Sequence, residues 1–409
     1  MARPGVLTGS AAILLAARGV RAFGDGFTAL ILPAYLSGLG FGAFRIGLIT
    51  TITLVGSAAL TMAVGLLAHR VRVRSLLIAG CGLMLATGLL FSQLRGFWPL
   101  AVVGFVGTLN PSGGDISLFL PLEQSLLAHA GPDGRRTDLF VRFGLTGWMM
   151  LAAGSLFVSV VDAVARATGV DRMAAMRAMF ALYGLLAVAA FGLYLRLPRT
   201  RAEGEPPRAP LGPSRRRVMT LAALFSLDSF GGGFLVQSML ALWLFQRFGL
   251  SLAAAGSFFF WSGLLSGLSQ IAAGRLARRI GLVNTMVFTH IPANLCMAAA
   301  AFVPSLWGVM GLLLVRAALS QMDVPARTSY VMAVVTPGER AAAASLTSGP
   351  RSLAGALSPS LAGLMLSAGG FAWPLLIGGG LKLTYDLIFL AMFRRVRPPE
   401  ETDGVDARR

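Results

Sequence analysis

Arg18, Arg21 and Asp25 stand at i, i+3 and i+7 inside one apolar run, which places them on a single stripe of a helix. A charge in a bilayer core is costly unless it is paired or hydrated, so each such residue is a functional candidate. The apolar runs of this chain hold seven basic groups (Arg18, Arg21, Arg142, Arg316, Arg327, Arg351, Lys382) and six acidic ones (Asp25, Asp115, Glu123, Asp228, Asp323, Asp386). That near balance points to pairing rather than to a highly charged pore. Asp25 lies deepest on its stripe, between Gly24 and Gly26, and is the expected carrier of a coupling proton.

The segment NPSGGD at 110–115 breaks its helix with Asn-Pro and Gly-Gly and adds a charge near mid-span. Irregular backbone at membrane depth exposes amides and carbonyls, so Asn110, Ser112 and Asp115 form an expected substrate or proton site. Gln237, Gln270, His290, Asn294 and Gln321 offer hydrogen bonds to a solute, although a lone group such as His290 reads better as glue between helices. Asp323 with Arg327, and Lys382 with Asp386, stand at i, i+4 and are expected to pair along their own helices.

The elements that position these groups follow from composition. Of 409 residues, 56% are hydrophobic and only 13% charged, and mean hydropathy is +0.73. A soluble domain carries about a quarter of its residues charged, and a bilayer span needs about 20 apolar ones. Apolar runs give approximate helices at 10–38, 44–68, 75–95, 98–129, 139–167, 173–197, 218–246, 252–276, 282–303, 306–335, 341–368 and 371–394. The first run begins like a signal peptide, but it resumes in FTALILPAYL without a convincing cleavage site and is read as a span. The net charge of +18 is carried almost wholly by arginine. Twenty-two arginines fall in loops and tails on one side and six on the other, which places both termini in the cytoplasm of a multi-pass inner-membrane protein. Scattered between apolar runs, these arginines make no nucleic-acid patch. Cys81 and Cys296 lie in apolar runs without ligand spacing, so free thiols and no metal site are expected.

The chain repeats itself. FGDGF at 23–27 matches FGGGF at 230–234, and the loop GLLAHRVRVRSLL at 65–77 matches GRLARRIGLVNTM at 274–286. Asp228 falls in the place of Arg21, and Arg327 in the place of Glu123. The Pro- and Arg-rich stretch 198–217 separates a six-helix bundle at 1–197 from another at 218–394, followed by a polar tail at 395–409. Two fused repeats suit a machine that rocks one half against the other around a central site.

With these residues the chain resembles the major facilitator superfamily. Gly65, Leu67, Ala68, Arg70, Arg74 and Leu77 match the family's loop motif, as do Gly274, Leu276, Ala277, Arg279 and Gly281 in a second copy; His69 and Arg278 stand where the family has an acid. The resemblance implies an all-α fold of twelve transmembrane helices in two pseudo-symmetric bundles, with helices one, four, seven and ten around the cavity. The expected substrate cavity comprises Arg21, Asn110, Ser112, Asp228, Gln237 and Arg316, with Arg21 and Asp228 read either as a pair that bridges the halves in one state and opens in the other or as a permanent structural salt bridge. The resemblance also implies a cytoplasmic gate of His69, Arg70, Arg74, Glu123, Arg142, Arg278, Arg279, Asp323 and Arg327, in which Arg74 and Arg142 are the natural partners of Glu123.

The expected function is secondary transport of a small solute by alternating access, coupled to protons at Asp25 and Asp115, with efflux favoured over uptake. A proton-coupled metabolite importer and a lipid flippase are the alternatives. No nucleotide loop, enzyme constellation or cofactor motif is present in the sequence. The expected partners are a small-molecule substrate, protons and the lipid bilayer, not nucleic acid, and the protein is expected to be a monomer.

Overall fold

The structure, a computed structural model, describes residues 9–67, 71–114, 117–130, 136–198 and 212–394. These residues form sixteen α-helices that fall into the twelve segments read from the sequence. Six segments are single unbroken helices in the order α1 (Gly9–Gly38), α2 (Ala43–Leu67), α3 (Val73–Gln93), then α8 (Arg172–Tyr194), α11 (Leu252–Ile280) and α12 (Leu282–Ala300). The last two segments are α15 (Arg340–Ser367) and α16 (Trp373–Phe393), also unbroken. The remaining four are interrupted. The fourth is α4 (Phe97–Val106) and α5 (Phe119–His129), and the fifth is α6 (Arg136–Phe157) and α7 (Val160–Thr168). The seventh is α9 (Arg215–Gly233) and α10 (Gln237–Phe248), and the tenth is α13 (Leu306–Ser320) and α14 (Asp323–Ala333). By length and apolar composition, nine stretches among the described residues suffice to cross a membrane.

Three of these breaks correct the continuous helices read at 139–167, 218–246 and 306–335. Two have visible local causes. At 234–236 the preceding residues Gly231, Gly232 and Gly233 weaken the helix. At 321–322 the nearby Pro325 has no N–H to give to the Gln321 carbonyl one turn back. Pro121 holds the same third position in α5, just after the longer break at 107–118. The linker read at 198–217 lies mostly outside the described residues, and helix α9 begins at Arg215, inside its expected end. The Glu339 carboxylate accepts hydrogen bonds from Thr336 Oγ1 at 2.6 Å and from the Gly212 amide at 2.5 Å. Hydrogen bonds from Ser214 above all, then from Thr336 and the Gly212 amide, hold its carboxyl down to about 2.

The chain divides into two compact units, one of residues 1–204 with 236–263 and one of 205–235 with 264–409. Inside the first, α1 packs on α6 and α8, and α3 packs on α8. Inside the second, α9 packs on α15 and α16, and α12 packs on α16. These are equivalent helix pairs in the two sequence repeats. The repeated Phe-Gly motif explains the closeness of that packing. A Cβ on Gly26 would overlap the Leu151 carbonyl of α6, and one on the equivalent Gly233 would overlap the Gly355 carbonyl of α15. Small residues at a crossing let backbones approach, which is the main source of helix association where lipid is as apolar as leucine. The core of the first unit gathers around Leu14, Leu77, Phe119 and Tyr194, and that of the second around Phe225, Tyr330, Tyr385 and Phe389.

Candidate functional site

In the first unit a buried ion pair joins Arg21 Nη2 of α1 to Glu123 Oε2 of α5. The Tyr194 hydroxyl of α8 closes the triangle: it accepts from Arg21 Nε at 3.1 Å and donates to Glu123 Oε1 at 2.6 Å. The Phe119 ring lies under the guanidinium, 4.1 Å from its centre. This corrects two expectations. Glu123 is held by Arg21 rather than by Arg74 or Arg142, because α1 and α5 present both groups to one buried space, while Arg142 faces outward. Arg21 in turn has its acid inside its own unit rather than in Asp228.

Asp25, one turn further along α1, is buried. Asn110 is its hydrogen-bond neighbour, and the Arg18 and Arg21 charges act on it from within its own stripe. Among the described residues no cation stands at ion-pair distance from it. The break that carries Asn110 is tied together by its own side chains. Asn110 Oδ1 accepts from the Ser112 amide at 3.2 Å and from Ser112 Oγ at 2.6 Å, and Asn110 Nδ2 donates to the Gly114 carbonyl at 2.5 Å. The free backbone carbonyls of this turn then cap α10: the Gln237 amide donates to the Ser112 carbonyl at 3.3 Å and the Ser238 amide to the Pro111 carbonyl at 3.1 Å. Gln237 Nε2 donates to Ser155 Oγ at 3.2 Å. The structure thus brings Asp25, Asn110, Ser112 and Gln237 to one place. Asp115, His69 and Arg70 lie outside the described residues.

The turn depends on Gly113, whose φ of +64° falls in the left-handed region. A Cβ there would also overlap Gln237 Oε1. Gly113→Ala is expected to release the start of α10. Hydrogen exchange read by mass spectrometry will show loss of protection at the Gln237 and Ser238 amides, and unchanged protection there would refute the cap.

In the second unit Asp228 of α9 is the hub. Its Oδ1 lies 2.5 Å from Lys382 Nζ of α16, and its Oδ2 lies 3.4 Å from Arg327 Nη1 of α14. The same Arg327 nitrogen is 3.2 Å from Asp323 Oδ2, the intrahelical pair expected from their spacing. Lys382 and Asp386 do not pair as expected, because each finds a closer partner on another helix. His290 Nδ1 of α12 is 2.8 Å from Asp386 Oδ1, and Asn294 Nδ2 donates to Asp386 Oδ2 at 2.9 Å. His290 Nε2 faces Asp228 Oδ1 at 3.8 Å, so the histidine bridges two carboxylates. From the sequence alone it reads as glue between helices. Its i, i+4 spacing to Asn294, opposite an acid in α16, was the only signal of more. Asp228, His290 and Asp323 present three possible metal-ligand atoms within 4.8 Å of one another. Two cations already occupy the Asp228 oxygens and would repel a metal ion.

Of the remaining gate residues, Arg278 and Arg279 are exposed at the end of α11, and Arg74 is half-buried near the start of α3. Arg316 of α13 is half-buried in the second unit. Cys81 is buried and Cys296 half-buried, both as free thiols.

Comparison with known proteins places this architecture. A family model described as Major Facilitator Superfamily matches residues 14–322. A Saccharomyces cerevisiae protein, "Uncharacterized membrane protein YJR124C", is 24% identical and aligns over 91% of this chain and 92% of its own. Among solved structures, a mutant of the nucleoside transporter NupG superposes with a TM-score of 0.76 at 15% identity, covering 94% of this chain and 100% of that one. A bacterial homologue of the human lysosomal transporter Spinster gives 0.70 at 14% identity, covering 93% and 95%. The human organic anion transporter MFSD10 gives 0.65 at 16% identity, covering 93% and 99%.

Proposed function

Because this chain belongs to the Major Facilitator Superfamily, whose members carry small solutes across membranes, we propose that it is a proton-coupled secondary transporter working by alternating access. The observation that carries the coupling is Asp25: a buried carboxyl on α1, beside Asn110, without a cation at ion-pair distance among the described residues. An ionised carboxylate in such a place is expensive, and taking up a proton removes the charge. Proton binding and the conformation of α1 are then linked. Asp115, the last residue of the sequence NPSGGD, is a second acid in this reading. In the second unit the row Asp386, His290, Asp228 offers a path along which a proton can move between neighbouring groups, with histidine as the natural relay.

The solved neighbours bear names as different as nucleoside and organic anion transporter, so the fold leaves the solute to be argued from side chains. Gln237, Ser112 and Arg316 are the polar groups proposed to meet it. Arg74, Glu123, Arg142, Arg278, Arg279, Asp323 and Arg327, with His69 and Arg70, are proposed to form the cytoplasmic gate. Both termini are proposed to be cytoplasmic in an inner membrane, following the arginine asymmetry. Export is proposed over import, although the Pro-Gly motif that drug-exporting members carry on helix five has no proline here, where the chain reads GLTGWMMLAAGS at 144–155, and its nearest likeness, GALSPSLAG at 355–363, stands in the other half.

The test uses purified protein in liposomes with an imposed pH gradient and a solute screen. Asp25→Asn is expected to abolish gradient-driven flux while solute exchange down its own gradient persists. Driven flux that survives the substitution would refute the role of Asp25.

A further inference from the structure

One side chain ties the start of α10 to Asp25. The Asn110 amide group offers two acceptor and two donor sites, and three of the four are used inside its own turn. Oδ1 accepts from the Ser112 amide at 3.2 Å and from Ser112 Oγ at 2.6 Å, and one Nδ2 hydrogen goes to the Gly114 carbonyl at 2.5 Å. The hydrogen bond between Asn110 and Asp25 therefore uses the remaining Nδ2 hydrogen, with the carboxyl as acceptor. Helix α10 depends on the same turn. It begins after the interruption at 234–236, and Val236 at its N-cap supplies no side-chain acceptor. Two of the N–H groups that a helix start leaves without a partner are taken by the Ser112 and Pro111 carbonyls, from Gln237 at 3.3 Å and Ser238 at 3.1 Å. A second arm reaches the same helix start. Gln237 Nε2 donates to Ser155 Oγ of α6 at 3.2 Å, and that hydroxyl shares its own hydrogen between the Leu151 carbonyl at 3.0 Å and the Gly26 carbonyl at 3.3 Å. Only the arm through Asn110 ends on a group that can change its charge.

A hydrogen bond to an ionised carboxylate is about twice as strong as one to a neutral oxygen. Resting on the reading of Asp25 as the acid that takes up the proton, we propose that Asn110 is the positioning residue that carries this change to α10. With Asp25 ionised, the carboxylate holds Asn110, the turn presents its carbonyls, and the start of α10 is capped. A proton on Asp25 weakens that hold and loosens the cap. The charged and titratable groups acting on Asp25 are Arg21 and Arg18 of its own helix, and its charge is felt by Tyr183 of α8. Arg21 is itself engaged by Glu123 of α5 and Tyr194 of α8. From α6 and α10, which also pack on or touch α1, the groups at this level are Ser155 and Gln237, and neither titrates. The ionisable residue of α2, Arg45, is exposed in its first turn.

The test is hydrogen exchange of the purified full chain in detergent, read by mass spectrometry at the Gln237 and Ser238 amides and corrected for the intrinsic exchange rate. Asp25→Asn, a neutral side chain of the same shape, is expected to speed exchange there about fivefold, the difference between a charged and a neutral acceptor. Asn110→Ala is expected to speed it at least as much, and adding Asp25→Asn to it to change nothing more. Ser155→Ala cuts the other arm. It is expected to speed exchange too, yet to keep the fivefold response to Asp25→Asn. In the unsubstituted protein, protection of the two amides is expected to fall as the pH is lowered through the titration of Asp25, and Asp25→Asn to remove that slope. Should Asn110→Ala not fold, the Ser155→Ala background and the pH slope decide without it. Protection unchanged by Asp25→Asn, or an Asp25→Asn effect undiminished in the Asn110→Ala background, overturns the link. Exchange needs no gradient and no flux, so the transport reading fails separately: driven flux that survives Asp25→Asn, beside a fivefold change at α10, removes the coupling and keeps the link.

Discussion

Asp228→Asn is expected to lower the stability of the protein in detergent by about 3–5 kcal/mol, and Lys382→Met in the same chain to recover most of that loss. Asparagine keeps the volume and removes the charge. Arg327 retains Asp323 at 3.2 Å, but the other close contact of Lys382 Nζ is the Asp228 backbone carbonyl at 3.5 Å. The variant therefore buries an ammonium without a counter-ion, and a one-sided break of a buried pair costs far more than the pair contributes when intact. Removing the lysine charge as well removes the cause, and methionine fills the same space with a flexible apolar chain. Equilibrium unfolding of the two single variants and the double in mixed micelles gives the coupling directly. A double variant no more stable than Asp228→Asn would show that Lys382 is not what Asp228 neutralises.

That pairing also shows where the sequence stopped being readable. The twelve segments were legible because lipid enforces long apolar runs, and the repeat was legible because equivalent helices need equivalent glycines at their crossings. Gly26 and Gly233 are the clearest case, each lying against a carbonyl of the helix it crosses. Partner choice was not legible. Spacing along one helix predicted Asp323 with Arg327, where both side chains lie on one face. It failed for Lys382 and Asp386, because α9 approaches α16 closely enough at Gly231 and Gly378 for Asp228 to draw the lysine across. Arg21 was assigned to Asp228 from the repeat alone. Repeat equivalence says that two residues hold the same place in two bundles, and it carries no information on contact. The breaks divided in the same way. NPSGGD announced itself by composition, whereas the interruption after Ser320 depended on a single proline three residues into the next helix.

Glu123→Gln is expected to be the most damaging single change in the first unit, costing about 3–5 kcal/mol, with Tyr194→Phe costing only about 1 kcal/mol. The order follows from what each leaves behind. Without the Glu123 charge, Arg21 stays fully buried with a tyrosine oxygen and the Phe119 face as its neighbours, and neither neutralises it. A ring face at this distance adds about 0.5–2 kcal/mol, less than the desolvation of a guanidinium. Without the Tyr194 hydroxyl the ion pair is still in place, and Arg21 Nε and Glu123 Oε1 each lose one bond. Arg21→Met together with Glu123→Leu removes both charges and leaves apolar side chains beside Phe119, so its stability is expected to return close to that of the unsubstituted protein. If the pair belongs to a gate, that stable double variant will nonetheless fail to transport, since a gate needs a lock that can open and an apolar seam has none. Unfolding of the four proteins in detergent, beside flux in liposomes, separates the two roles. A Glu123→Gln protein no less stable than Tyr194→Phe would mean that Arg21 draws its compensation from elsewhere on the α1 stripe, with Asp25 as the acid that supplies it.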